Sequence, residues 1–393
     1  MNPAARVQAA IELLDHVVDA ARAGGAAADT LIQRYFQTRR YAGSKDRRAV
    51  RELVYRGIRA SAETPVSGRA AILALSDPAL DALFDGSPHG PVRIADGEGG
   101  SLPSGSAVPQ WLAERLDPVV TPDEWSALLD RAPLDLRVNR LKGGREGALA
   151  ALPEAIATPL SPLGIRLPDG FRVEELEAWR SGLVEVQDEG SQLLALACDA
   201  SADMLVLDLC AGAGGKTLAL GAEMGDRGKL IAADIDRGRL GRMQPRLSRA
   251  GLHIVEARLL DPKRERETLR DLEGRADVVL VDAPCSGTGT WRRNPELRWR
   301  LTADRLDRLV RAQADLLDLA AELVRPGGLL VYAVCSLLAE EGRGQAANFG
   351  LRSSLVADVP AMETGREAGA GRILTPGHDG TDGFFVARWR APC

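Results

Sequence analysis

Two cysteines stand in two loop-like motifs: Cys285 in Asp-Ala-Pro-Cys-Ser-Gly-Thr-Gly (282–289), and Cys335 in Tyr-Ala-Val-Cys-Ser (332–336). Each follows a short run of β-type apolar residues, 278–281 in one case and 329–334 in the other. Strand ends are where open α/β sheets carry their chemistry, so two thiols there read as a reacting pair. A thiol nucleophile with a second thiol is an unusual requirement, and methylation of a pyrimidine at carbon 5 has it. Adding a thiolate to carbon 6 turns carbon 5 into an enamine-like nucleophile, splitting one hard step into easier ones. The competing reading is core filler, since unpaired cysteine is among the most buried residue types. The five cysteines (198, 210, 285, 335 and 393) are odd in number and irregularly spaced, which argues against a disulfide framework and for a reducing compartment. No Cys-x-x-Cys occurs and the four histidines are scattered, so no metal site is expected.

The elements that position these loops come from the second half of the chain. From about residue 184 onward, strand, loop and helix patterns alternate. Strands are expected at 204–209, 229–233, 253–259, 278–281, 329–334 and 384–388, with helices at 217–223, 237–250, 303–324 and 340–349. This is the signature of an α/β fold with a mostly parallel, doubly wound sheet. Pro245 falls inside one of these helices and should kink it or confine it to an early turn. Residues 4–60 read as helical, with Val7, Ile11, Leu14, Val17 and Val18 on one face and Val50, Leu53, Val54 and Ile58 on another. The resulting division is a helical domain over 1–85, a Gly-rich linker over 86–105, a middle segment over 106–180, and a catalytic domain over 181–393.

At 393 residues the chain is long enough for two or three domains. It shows no signal-peptide pattern and no apolar run long enough to span a bilayer, so a cytoplasmic protein with no membrane partner is expected. A net charge of −5 speaks mildly against nucleic acid as a partner. Local distribution reverses that impression. Arg39, Arg40, Arg47 and Arg48 sit in an arginine-rich N-terminal stretch, and Arg292 and Arg293 open another directly after the Cys285 loop. The first four and the last two are candidate contacts to nucleic-acid phosphates, against the plainer reading of solvated helix faces.

Residues 206–217 run from a strand into Cys210, Ala211, Gly212, Ala213, Gly214, Gly215 and Lys216, and then into a helix. Glycine lets backbone amides approach a ligand closely. A phosphate-binding P-loop needs a glycine where Cys210 stands, and the dinucleotide fingerprint has Thr217 at its last glycine. S-adenosylmethionine is the third candidate ligand. A ribose-binding acid belongs about 20 residues downstream, at the end of the second strand. Asp234 follows Gly212 by 22 residues. Asp261, after the third strand, is the candidate for the adenine edge.

On these residues the chain resembles the RsmB/Sun family of RNA 5-methylcytosine methyltransferases, over nearly its whole length. The segments that carry the likeness are Asp208–Thr217 with Gly212 and Ala213 in place of Ala-Pro, Val-Gln-Asp-Glu-Gly-Ser-Gln (186–192), the 282–289 motif with Arg-Arg-Asn-Pro (292–295), and Thr-Asp-Gly-Phe-Phe (381–385). The family's Thr-Cys-Ser appears with Val334, and its Pro-Glu-Glu-Asn as Ala-Glu-Glu-Gly (339–342). Leu-Arg-Val-Asn (136–139) is similar to the middle segment, and Ser-Lys-Asp-Arg-Arg (44–48) to a NusB-like RNA-binding module.

The resemblance implies a class I, Rossmann-like methyltransferase domain, S-adenosylmethionine as cofactor, and small-subunit (16S) rRNA as substrate. It makes Cys335 the nucleophile and gives Cys285 the removal of the carbon 5 proton and product release. Asp282 is the candidate partner of ring nitrogens 3 and 4, with Lys216 orienting these groups. A monomer is expected. Three alternatives remain open: a tRNA cytosine-5 methyltransferase, a P-loop NTPase with Asp282 as magnesium ligand, and a non-catalytic RNA-binding protein.

Overall fold

In the computed structural model, residues 1–98, 107–360 and 362–393 are described. The expected linker therefore lies partly, from residue 99 to 105, outside the described residues. The chain divides into two compact units. One comprises Met1–Arg115, Thr121–Asp130 and Thr290–Ala303, and the other Leu116–Val120, Arg131–Gly289 and Asp304–Cys393.

The first unit is helical. Helix α1 (Pro3–Ala23) starts at Asn2, whose side chain accepts from the Ala5 N–H at 2.7 Å, and ends on left-handed Gly24. It is followed by α2 (Ala28–Gln37), α3 (Ser44–Ala60) and α4 (Gly68–Leu73). The apolar faces expected at 7–18 and 50–58 form the core of this unit, together with Tyr35, Phe36, Ile72 and Trp299. Close helix approach explains two glycines: a Cβ on Gly68 would sit 2.1 Å from the Ile11 carbonyl oxygen, and one on Gly57 3.0 Å from Leu14.

Residues 290–303 belong to this unit, and Trp299 to its core. Trp299 Nε1 donates to the Ser61 carbonyl at 2.9 Å, and Arg298 donates to the carbonyls of Ile58 and Ala107, both at 2.7 Å. The last carbonyls of a helix have no partner within it, and here a guanidinium supplies one for α3. Glu296 does the same at a start, accepting from the Ala28 N–H of α2 at 3.1 Å.

The second unit contains two sheets. Strands β1 (Leu134–Val138), β2 (Ile156–Ala157), β3 (Gly164–Leu167) and β4 (Val184–Val186) form a small antiparallel sheet in the order β2-β3-β1-β4. The remaining strands are β5 (Leu205–Asp208), β6 (Lys229–Asp234), β7 (Val255–Leu259), β8 (Ala276–Asp282), β9 (Val324–Val334), β10 (Val356–Ala357), β11 (Arg366–Ala368), β12 (Gly371–Leu374) and β13 (Phe384–Arg390). They form one sheet in the order β11-β12-β13-β9-β8-β5-β6-β7, with β10 on β13. From β9 to β7 the pairing is parallel, and β13 joins antiparallel to β9.

This is the expected α/β class, with helices Gly215–Glu223, Arg237–Ala250 and Ala303–Leu323 between the parallel strands. Because β5 has β6 on one side and β8 on the other, the winding direction reverses there. Such a reversal opens a crevice at the carboxyl ends of the two strands, where ligands of open α/β sheets bind.

Of the two outcomes expected at Pro245, confinement to an early turn does not occur. The helix Arg237–Ala250 continues through Pro245, eight residues from its start. Pro245 and Gly241, the residue whose carbonyl the missing N–H frees, are both exposed. Water can satisfy that carbonyl. Among the described residues, no helix is long and apolar enough to cross a membrane.

Candidate active site

Strands β8 and β9 are parallel neighbours, with Asp282 opposite Ala333, so the loops that follow them emerge side by side. Cys335 directly follows β9, and its carbonyl accepts from the Gly289 N–H at 3.1 Å. The two sulfur atoms lie 3.3 Å apart, and both side chains are half-buried. The hydrogen bond to Cys335, reinforced by burial, pushes the Cys285 thiol well above its ordinary range. Cys285 therefore keeps its proton at neutral pH. Cys198 and Cys210 are also pushed up, by burial foremost, as expected of inert thiols.

Lys216, in the first turn of the helix Gly215–Glu223, donates from Nζ to Asp282 Oδ2 at 2.7 Å. Burial works against its charge, but the Asp282 carboxylate outweighs burial, and the net shift is upward. Lys216 is buried and Asp282 is 31% exposed, so the carboxylate has a solvent-facing side.

The glycine-rich loop turns through Gly212 (φ 57°) and Gly214 (φ 84°), where a Cβ would lie 2.5 Å from Met243 Cγ. Ala211 is buried, while Cys210, Ala213 and Gly215 are half-buried. Arg246 holds the Ala213 carbonyl at 2.5 Å and pairs with Glu185 at 3.4 Å. Asp234, at the end of β6, accepts from the amides of Gly212 (2.8 Å) and Asp236 (2.7 Å), which fixes the loop beside it. Asp261 is exposed at the rim of a cavity of about 350 Å³ shared with Ile235, Arg237, Leu259, Leu260 and Pro262.

Two sets of residues escaped the sequence reading. Asp208, at the end of β5, is buried; its Oδ2 accepts from Thr217 at 2.7 Å, and its Oδ1 has no partner. Burial foremost, with Asp282 nearby, pushes its pKa up to about 7. The second set centres on Glu341, fully buried between the cysteine loops and bonded to Ser286, Ser336 and Gln313. The repeated Cys-Ser pair, at 285–286 and 335–336, was the signal available in the sequence.

The residues that depart from the resembling family also find a physical reason. Val334 is buried within β9 opposite Phe385, where a hydroxyl is not required. At Gly342 a Cβ would sit 3.1 Å from the Phe385 ring, leaving little room for an asparagine.

The arginine candidates all belong to the helical unit. Arg40, Arg47 and Arg48 are exposed, whereas Arg39 lies 3.6 Å over the Tyr35 ring and pairs with Glu12. Arg293 is half-buried and Arg292 buried.

The sequence profile of the family described as 16S rRNA methyltransferase RsmB/F matches residues 194–390, which holds every site residue described above from Cys210 to Glu341. This chain belongs to that family. Ribosomal RNA small subunit methyltransferase B of Yersinia enterocolitica is 34% identical over 288 residues, covering 71% of this chain and 65% of its own length. The chain thus matches somewhat less than two thirds of that relative. The crystal structure of PH0851 is similar over 99% of both chains at a TM-score of 0.77 and 23% identity, a likeness of fold. A methyltransferase homologue from Pyrococcus horikoshii covers 72% of this chain and 95% of its own at a TM-score of 0.64 and 26% identity.

Proposed function

We propose that this chain methylates carbon 5 of a cytosine in RNA, with small-subunit rRNA as substrate and S-adenosylmethionine as methyl donor, through a transient bond between Cys335 Sγ and carbon 6. The observation that carries the reading is the 3.3 Å contact between two thiols on adjacent strand-end loops, beside the Lys216–Asp282 pair.

The residues around the glycine loop fit the donor. Asp208 Oδ1 is buried without a partner and suits a cationic group, Asp234 at the end of β6 is the acid proposed to read the ribose, and the cavity between Ile235 and Asp261 offers apolar walls to a base. When bound, the donor supplies an electrophilic methyl group.

Everything else falls to the protein. Cys335 adds to carbon 6 as a thiolate. Asp282 meets the edge formed by nitrogens 3 and 4, and the Lys216 charge beside it offsets the negative charge building on the ring. Cys285 begins protonated because Cys335 is its partner. Once the Cys335 sulfur is bonded to carbon, the largest cause of that raised pKa is gone while burial remains, and Cys285 becomes a better base for the carbon 5 proton than before. Elimination of Cys335 then restores the ring. The target base must leave its stack, which favours loops and single strands, and the exposed Arg40, Arg47 and Arg48 of the helical unit suit a NusB-like role on phosphates. A P-loop reading is disfavoured because Lys216 is buried against Asp282, not open to a phosphate.

The test is methyl transfer from labelled S-adenosylmethionine to 16S rRNA, followed by digestion to nucleosides. Label in 5-methylcytidine alone is the expected result. Label in any other nucleoside, or none, overturns the reading.

A further inference from the structure

The thiol pair does not hold itself together. Between the two loops lies the side chain of Glu341, with no exposed surface. Its Oε1 accepts from the Ser286 N–H at 2.8 Å and from Gln313 Nε2 at 2.9 Å. Its Oε2 accepts from the hydroxyls of both Ser286 and Ser336, the latter at 2.5 Å. These serines are the residues immediately after Cys285 and Cys335. One carboxylate oxygen therefore joins the positions following the two cysteines, across 50 residues of chain. The other ties the same node to Gln313, which also donates to the carbonyl of Pro284, the residue before Cys285, at 3.0 Å. Glu341 is itself fixed, since its carbonyl accepts from Tyr332 Oη at 2.7 Å.

A buried carboxylate is costly unless fully hydrogen-bonded, and a strand-end loop can be packed with apolar residues more cheaply. Oε1 takes two N–H donors and Oε2 two hydroxyls, so an amide could keep the Oε1 contacts only if both hydroxyls turned round to accept from its N–H groups, exchanging charge-assisted bonds for neutral ones.

We propose that Glu341 is a positioning residue that locks the two cysteine loops in register and so sets the contact between Cys285 and Cys335. The role of that contact in catalysis rests on the function proposed above, but the geometric effect does not. Glu341 touches neither sulfur in the hydrogen-bond network and acts through Ser286 and Ser336.

The test compares wild type with Glu341→Gln, Glu341→Asp and the double variant Ser286→Ala/Ser336→Ala, by two readouts. The first is binding of phenylarsine oxide, whose trivalent arsenic takes both sulfurs with loss of water and therefore needs them adjacent; Cys335→Ser, which removes one of the two sulfurs, is its control. The second is methyl-transfer kinetics. A displacement of about 1 Å can cost a reaction about 100-fold. Glu341→Gln is expected to weaken arsenical binding at least about 10-fold and to lower kcat about 100-fold, with KM for RNA within about 2-fold. Glu341→Asp should recover part of both, because the charge and the two acceptor oxygens return. If Glu341→Gln fails to fold, the serine double variant carries the same expectation. Wild-type arsenical binding and kcat in a folded Glu341→Gln, or in the serine double variant, would overturn the proposal. If wild type binds the arsenical but transfers no methyl group, the functional reading fails, and loss of arsenical binding in the variants still decides the role of Glu341.

Discussion

At the ends of β8 and β9, polar groups are spent on one another; in the helical unit, charged groups are spent on backbone. Lys216 meets Asp282, Cys285 meets Cys335, and Glu341 meets two serines, all at the crevice where the sheet changes its winding direction. Arg298 and Glu296 instead close the open ends of α3 and α2. Burial pushes Arg298 down to about 10, still cationic at neutral pH, and its charge serves the fold. A run of arginines is therefore two populations, one that builds the helical unit and one, Arg40 and Arg48, that faces water, while Arg47 is exposed yet bonded through Nε to the Ala42 carbonyl.

The comparison breaks first at Asp282. Asp282→Asn removes the counter-charge of a buried lysine and the proposed contact to the base, and kcat is expected to fall about 1,000-fold, with the fold retained by circular dichroism. Activity within about 10-fold of wild type would place the chemistry elsewhere.

Arg298→Ala leaves the carbonyls of Ile58 and Ala107 without their donor. Urea denaturation should show a loss of about 3 kcal/mol. Arg40→Ala and Arg48→Ala should each change stability by less than about 0.5 kcal/mol. They should instead weaken RNA binding and reduce its salt slope by about 1 each. The reverse pattern would mean that the two populations have been exchanged.

The smallest effect is on pH dependence. The Asp208 carboxyl has a folded pKa of about 7, above its unfolded value of roughly 3.9. The folded state therefore holds this proton more tightly, and stability is lost as pH rises from the unfolded pKa through the folded one. Asp208→Asn has no proton to lose, so its Tm should fall less than that of wild type between pH 5 and pH 8. Parallel Tm curves across that range would contradict the assignment.

The parts of this molecule legible in sequence are those written locally. Apolar runs marked β6 and β8 to within two residues and the second half of β9, and glycines followed by a helix marked the loop before Lys216. Strands β10, β11 and β12 have two to four residues each, too few for an alternation to stand out, and went unread. Glu341 was hidden for a different reason. Ala-Glu-Glu-Gly reads as a polar surface turn, and besides Ser336 the partners of Glu341 lie 28 and 55 residues away, on the helix Ala303–Leu323 and in the loop after β8. Arg298 was obscured in the same way, since nothing near it in sequence announces the end of α3.

The central claim is most directly tested by trapping the adduct. Cys285→Ala, incubated with S-adenosylmethionine and 16S rRNA, digested with nuclease and protease and sequenced by mass spectrometry, should carry a methylated cytosine on the peptide containing Cys335, and Cys285→Ala/Cys335→Ala should carry none. An adduct on another residue, or no adduct from a Cys285→Ala protein that still binds both substrates, would contradict the account.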